Sequence, residues 1–341
     1  MGKSSSFLVL GMLIGALGST IVFSGFIRKA SSPTVGHSES RQTVLKLGHC
    51  LPPNHPVHKS MEYMAKRLGE LSNGSVKLEI YPSGQLGTET QAIEMLQNGE
   101  LAMTKTSTAP MEAFIPEMAV FSLPYIFRDE AHLWKVLNGA IGGELLLKGT
   151  SRGLRGLCYY DAGSRNFYTR SKPIVTPDDL KGLKIRVMKS PTSIAMVKAL
   201  GGSPTPISWS ELYSALQQGT VDGAENNPPS FYTNKHYEVC KYFTLDGHTR
   251  IPDLLLISEK VWKGLSPRIR EWVARAAADS ADYERKLWAE QTKEDLRLCK
   301  KKGVRIYKVD TSLFAAKVQP MLDGYKGTKV GDLLERIRNV K

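Results

Sequence analysis

The chain is poor in the groups from which reactive centres are commonly built. Its 341 residues include four cysteines, Cys50, Cys158, Cys240 and Cys299. No two form a C-x-x-C pair, so neither a zinc framework nor a redox motif follows. In an oxidising compartment a pair could close into a disulfide, but the spacing does not say which. Four partly buried thiols are the plainer expectation. Also missing are a G-x-S-x-G elbow, a Walker loop, an H-E-x-x-H pair and a G-x-G-x-x-G turn after a strand. Aromatic residues make up 8% of the chain, and they do not interleave with any dense Lys/Arg stripe. The formal net charge of +13 is therefore scattered, which argues against nucleic acid and leaves a mild attraction for small anions. The run Lys300-Lys301-Lys302 reads as a solvated helix end. These absences speak against the common enzyme classes, and neither a metal nor a cofactor is expected.

What is present is an ordinary globular composition, 41% hydrophobic and 23% charged, long enough for two domains that each bury a core. Phe7 to Ile27 is uncharged and mostly apolar, with Lys3 before it and Arg28 and Lys29 after it. This reads as an export signal or, at a length near the ~20 residues that span a bilayer, as an uncleaved anchor. Ala30 to Gln42 reads as a flexible tether, and the folded part is expected to start near Thr43, outside the cytoplasm.

Along the folded part, strand and helix patterns alternate, which predicts parallel α/β layers. Val44–His49 reads as a strand. Asn54 and Pro56 open a helix whose apolar positions Val57, Met61, Met64, Ala65, Leu68 and Leu71 mark one face. Val76, Leu78 and Ile80 alternate as a strand does, and a helix from about Glu89 to Gln97 stops at Gly99. Leu96-Gln97-Asn98-Gly99-Glu100-Leu101-Ala102 is echoed by Leu216-Gln217-Gln218-Gly219-Thr220-Val221-Asp222. Each copy is a helix, a Gly suited to the C-cap, and a return strand. Two like lobes facing each other would form a cleft at their strand C-termini, where open α/β sheets bind ligands. The repeat sets Thr104–Ser107 opposite Ala224–Asn227, so Lys105 and Asn226 are candidate wall residues. From Pro267 to about Lys301 there is no Pro or Gly after the first residue, which predicts one helix of over thirty residues, able to brace both lobes.

His49, His55 and His58 lie close together, but spacings of six and three match no familiar ligand set. Cys50 cannot easily pair with His49, since adjacent strand residues point to opposite faces. Arg186 stands out. It ends the strand Leu183–Val187, and Ser190 and Pro191 follow as an N-cap and first helical residue. A guanidinium beside a helix N-terminus suits a carboxylate. A surface or interdomain salt bridge is the competing role for it.

Several motifs in register resemble the solute receptors of TRAP transporters, the DctP-type family: Tyr81-Pro82-Ser83-Gly84-Gln85-Leu86-Gly87, Gly182-Leu183-Lys184-Ile185-Arg186-Val187, Gly202-Ser203-Pro204-Thr205-Pro206 and Asp222-Gly223-Ala224-Glu225-Asn226. The resemblance runs from about Leu45 to the C-terminal helices. It implies a two-lobed flytrap with a long brace helix, lobe I holding 43–162 and 252–291, and lobe II 163–251 and 292–341. It puts the carboxylate-clamping arginine on Arg186, a ligand-binding asparagine on Asn226 and a second site arginine on Arg165. It also implies integral membrane subunits as partners of a monomeric receptor. His49 and His55 are expected to reach the cleft from lobe I. The stretches Gly48–Pro53 and Cys158–Arg165 are similar to a subgroup taking sugar acids such as glucuronate or galacturonate, with hydroxyls left for His, Lys, Asp161 and Asn. Four-carbon dicarboxylates, sialic acid and other hydroxy acids stay open. So do an enzyme using Asp161 with His49 and a ligand sensor.

Overall fold

A computed structural model of the chain describes residues 42–341. The expectations for Phe7–Ile27 and for most of the tether lie outside the described residues. Among the described residues no helix is long and apolar enough to cross a membrane.

Strand β1 (Thr43–Gly48) leads to α1 (Pro56–Leu71), β2 (Val76–Tyr81), α2 (Glu89–Asn98) and β3 (Met103–Ser107). Two 3-10 turns (Pro110–Ala113 and Pro116–Ser122), α3 (Glu130–Leu137) and α4 (Ala140–Leu147) precede β4 (Leu154–Tyr160). Then come β5 (Asn166–Thr169), β6 (Lys184–Val187), α5 (Pro191–Ala199), β7 (Ser203–Pro206), α6 (Trp209–Gln218), β8 (Gly223–Asn226), α7 (Pro228–Thr233), α8 (His236–Val239) and β9 (Tyr242–Leu245). The last elements are β10 (Asp253–Ser258), α9 (Glu259–Gly264), α10 (Pro267–Lys301), β11 (Arg305–Lys308), α11 (Thr311–Asp323) and α12 (Lys329–Arg338).

The strands form two sheets, one per lobe. The first runs β2-β1-β3-β10-β4 and the second β7-β6-β8-β5-β9-β11. In each, the first three strands are parallel and the next is antiparallel to its neighbours on both sides. The internal repeat is therefore a repeat of topology through five strands. Its glycines do what the pattern requires: Gly99 and Gly219 close α2 and α6 at φ 78° and 74°, a left-handed conformation that costs glycine little.

The stripe on α1 is buried as expected, with Val57, Met61, Met64 and Leu68 in the core under the first sheet. The helix is capped by His55 rather than Asn54: the His55 ring accepts from the Val57 amide at 3.2 Å. The second lobe has its own core around Ile185, Val187, Met196 and Phe314, with a further cluster around Tyr168, Phe231 and Phe243. Because β4 and β5 lie in different sheets, as do β9 and β10, the chain crosses between lobes at 161–165 and at 246–252. Helix α10 makes a third link. Its 35 residues, about 52 Å at 1.5 Å each, pack Val273, Ala276 and Ala277 under the first sheet and Cys299 into the second lobe's core. One segment departs from the expected division. Helix α12, assigned from sequence to lobe II, buries Leu333, Leu334 and Ile337 in a cluster with Phe121, Leu133 and Leu145 of the first lobe. Its amphipathic stripe was readable, but its partner was not. The four cysteines are all free thiols here.

Candidate functional site

The parallel strands β1, β3, β6 and β8 end their runs facing one another, and a narrow cavity lies between them. Lobe I supplies Cys50, Leu51, Glu89, Lys105, Ser107 and Asp253 to its wall, and lobe II Arg186, Met188, Trp209, Asn226, Asn227 and Ser230. Ala162 and Arg165 come from the first crossover.

Arg186 is 1% exposed. It sits on β6, after which Ser190 caps α5 by accepting from the Ser193 amide, with Pro191 as first helical residue. Its Nε donates to the Ile207 carbonyl at 2.8 Å, and its guanidinium lies 5.8 Å from the centre of the Trp209 ring. Its Nη1 is buried without a hydrogen-bond partner. Burial works against the charge and draws its pKa down, against the pull of Glu225. An arginine nevertheless stays protonated, so the desolvation acts instead as a drive to acquire an anion.

The other two cations of the wall are already paired. Arg165 binds both oxygens of Glu225, donating from Nη2 to Oε1 at 2.9 Å and from Nε to Oε2, and its Nη1 donates to Asn226 Oδ1 at 2.9 Å. Lys105 meets Asp253 at 2.6 Å. Burial opposes the Lys105 charge, and the attraction of Asp253 and Glu89 outweighs it, holding the ammonium above its ordinary range. Among the described residues Arg186 is thus the cavity cation with no carboxylate in ion-pair contact. Asn226 uses Oδ1 for Arg165 and for the Asn227 amide, which leaves its NH2 group as the cavity-side donor. Glu89, the first residue of α2, is fixed by the Ser107 amide at 3.2 Å and is a further acceptor on the wall.

Of the seven residues singled out from sequence, Arg186, Asn226, Arg165 and Lys105 share this cavity, and His49, His55 and Asp161 do not line it. His49 stands behind the wall. Its Nδ1 accepts from the Leu51 amide, so its Nε2 donates to His58 Nδ1 at 3.0 Å. Burial, with His58 next, holds its pKa down to about 2. His55 is buried, bonded to Ser230 at 3.2 Å. Asp161 turns the other way, into a separate cleft shared with Arg250 and Trp288, and its amide donates to Glu284. His49 and Asp161 are not brought together, so the acid/base pair weighed from sequence does not form. The sequence reading missed Glu89, Asp253 and Trp209.

Residues 47–328 match the family described as bacterial extracellular solute-binding protein, family 7. A C4-dicarboxylate-binding periplasmic protein of Rhodobacter capsulatus is 32% identical, covering 86% of this chain and 85% of its own. Two TRAP periplasmic solute-binding proteins of known structure are similar throughout. One, from Xanthobacter autotrophicus with bound β-D-galacturonate, is 36% identical with a TM-score of 0.84, covering 87% of this chain and 100% of its own. The other, from Chromohalobacter salexigens with bound D-glucuronate, is 33% identical with a TM-score of 0.84 and the same coverage. On this breadth of likeness, and with a paired, buried, polar cavity between two lobes, the chain belongs to the family 7 bacterial extracellular solute-binding proteins, receptors for TRAP transport that bind solute outside the cytoplasm and are not enzymes.

Proposed function

We propose that the ligand is a hexuronate such as galacturonate or glucuronate, held with its carboxylate on Arg186. The observation that carries this is the buried guanidinium of Arg186, left with an unpartnered Nη1 and no carboxylate beside it. A planar two-pronged donor with its charge uncompensated calls for one carboxylate. The rest of the wall suits hydroxyls. Asn226 offers a donor, Glu89 an acceptor, and the Lys105–Asp253 pair both. A four-carbon dicarboxylate would need a second unpaired cation, and Lys105 and Arg165 are each already matched to an acid. The hexuronates bound by two similar receptors support the same reading.

On this reading the chain works as a monomer that closes its lobes about the acid and presents it to the membrane subunits. Its N-terminal segment serves as export signal or anchor, with a tether up to Gln42. The lobe division then falls near 162/163, 251/252 and 291/292, with α12 returned to lobe I.

A thermal-shift panel tests the assignment. A ligand that binds only the folded state adds about 2.7 kcal/mol at a hundredfold excess over Kd. At about 1.5–2 °C per kcal/mol for a folded part of roughly 300 residues, galacturonate or glucuronate is expected to raise the melting temperature by about 4–5 °C. Galactose and glucose are expected to leave it unchanged, and succinate to shift it less. A shift with the neutral sugars and none with the acids would refute the anion assignment.

A further inference from the structure

Each ligand-facing strand end of lobe II runs straight into a helix. β6, with Arg186, leads to α5, and β8, with Asn226, leads to α7. In both cases the first turn of that helix is held by a side chain of lobe I. Glu112, on the turn Pro110–Ala113, is 7% exposed and enters no ion pair among the described residues. Its Oε1 accepts from the Ser190 hydroxyl at 2.7 Å and its Oε2 from the Thr192 amide at 3.2 Å. These are the N-cap and the second residue of α5, whose orphan amides and dipole favour an acid. Beside this contact Ala109 of lobe I packs on Met188 and Ile251 in a small buried cluster. Across the cavity, His55 has its Nδ1 occupied by the Val57 amide, so the proton sits on Nε2 and is donated to Ser230, within the first turn of α7.

We infer that Glu112 and His55 are positioning residues, a pair of clasps that hold the Arg186 and Asn226 strand ends against lobe I once the lobes have met. The inference rests on the proposed flytrap closure but not on the identity of the ligand. Neither residue lines the cavity. When the lobes part, the Glu112 carboxylate and the α5 amides return to water, so the clasp adds nothing to the open form. Its loss therefore speeds opening and leaves encounter unchanged, the usual division when an interface contact is removed.

The test uses the full chain and the variants Glu112→Ala, Glu112→Gln and His55→Phe. Stopped-flow tryptophan fluorescence with galacturonate and with glucuronate gives the rates. The dissociation rate is expected to rise about tenfold in Glu112→Ala and about threefold in His55→Phe, with association within about twofold of wild type in both. Glu112→Gln keeps an acceptor for Ser190 and is expected to fall between wild type and Glu112→Ala. Melting of the free variants is expected to fall less than melting of their complexes. In parallel, nitroxides at the exposed positions Lys66 and Lys198 report the interlobe distance without any ligand, and Glu112→Ala is expected to shift it toward longer values. Unchanged dissociation, an unchanged distance distribution, or a free variant that loses as much stability as its complex would each overturn the clasp and leave Glu112 a static helix cap. A wild type that binds neither acid refutes the proposed ligand instead, and the distance measurement then decides the clasp alone.

Discussion

Replacing Arg186 with alanine is expected to weaken binding of the cognate acid by roughly two to three and a half orders of magnitude. Arg186 is enclosed by Trp209, Ile207 and the cavity itself, with its Nε committed to a backbone carbonyl and its Nη1 unpartnered. A ligand carboxylate placed there forms a water-shielded pair. Removing one partner of such a pair strands the other charge at a cost of about 3–5 kcal/mol, and about 1.4 kcal/mol is a factor of ten in Kd. Arg186→Lys keeps the charge but loses both the planar fork and the Nε bond to Ile207, so it is expected to lose affinity as well. Asn226→Ala removes one neutral donor, worth about 0.5–1.5 kcal/mol. It also frees Arg165 Nη1 and the Asn227 amide, which places it at the upper end of that range. Calorimetry on the three variants, each shown folded by circular dichroism, ranks them. A Glu112→Ala chain tested alongside would lose affinity through its dissociation rate alone. Arg186→Ala binding within about threefold of wild type would sink the clamp, and Arg165 could not readily replace it, since its charge is already matched by Glu225.

How much of this could be read in advance depended on whether the signal was local. Arg186 was legible because everything that places it lies within five residues: the strand, the cap Ser190 and Pro191. Asn226 and Lys105 were legible through the repeat, since both follow a helix closed by a glycine of positive φ. Asp253 gave no local sign. It reaches the cavity because β10 returns antiparallel beside β3 and sets it opposite Ser107. Trp209 and Glu89 are simply first residues of helices, and what sets them on the wall is remote in sequence: the Ser107 amide for Glu89 and the neighbouring Arg186 for Trp209. His49 and Asp161 misled for the opposite reason. Each is near a strand end, but His49 is turned under its own loop to accept the Leu51 amide, and Asp161 is tied by its amide to Glu284 on the brace helix. Glu225 is the repeat equivalent of Lys105, 120 residues on. The two lobes carry equivalent ion pairs of reversed polarity, Lys105 with Asp253 and Glu225 with Arg165.

The second of those pairs carries the larger consequence for stability, because it does not stand alone. Glu225 and Arg165 are joined by His248 and Asp246 in a chain of four groups, each 4% exposed or less. The His248 ring faces Asp246 from Nδ1 at 2.6 Å and Glu225 from Nε2 at 3.4 Å. With a carboxylate on each nitrogen, both nitrogens donate and the ring is an imidazolium. Burial opposes that charge, but the two acids overcome it and raise the pKa to about 9. Burial likewise opposes the Glu225 charge, and Arg165 and His248 overcome it, lowering that pKa to about 2. Glu225→Gln therefore leaves two buried cations sharing one acid, and is expected to destabilise the chain by about 3–5 kcal/mol. The pH dependence follows from the two shifts. The Glu225 contribution is present above its unfolded value near 4.5 and fades as pH falls toward 2. The His248 contribution is complete below its unfolded value near 6.5 and is lost as pH rises through 9. Urea unfolding at pH 3, 5.5 and 9 is thus expected to show the widest gap between wild type and Glu225→Gln at pH 5.5, narrowing at both ends. A gap that is constant across the three values would mean that the network is held together by shape rather than by charge.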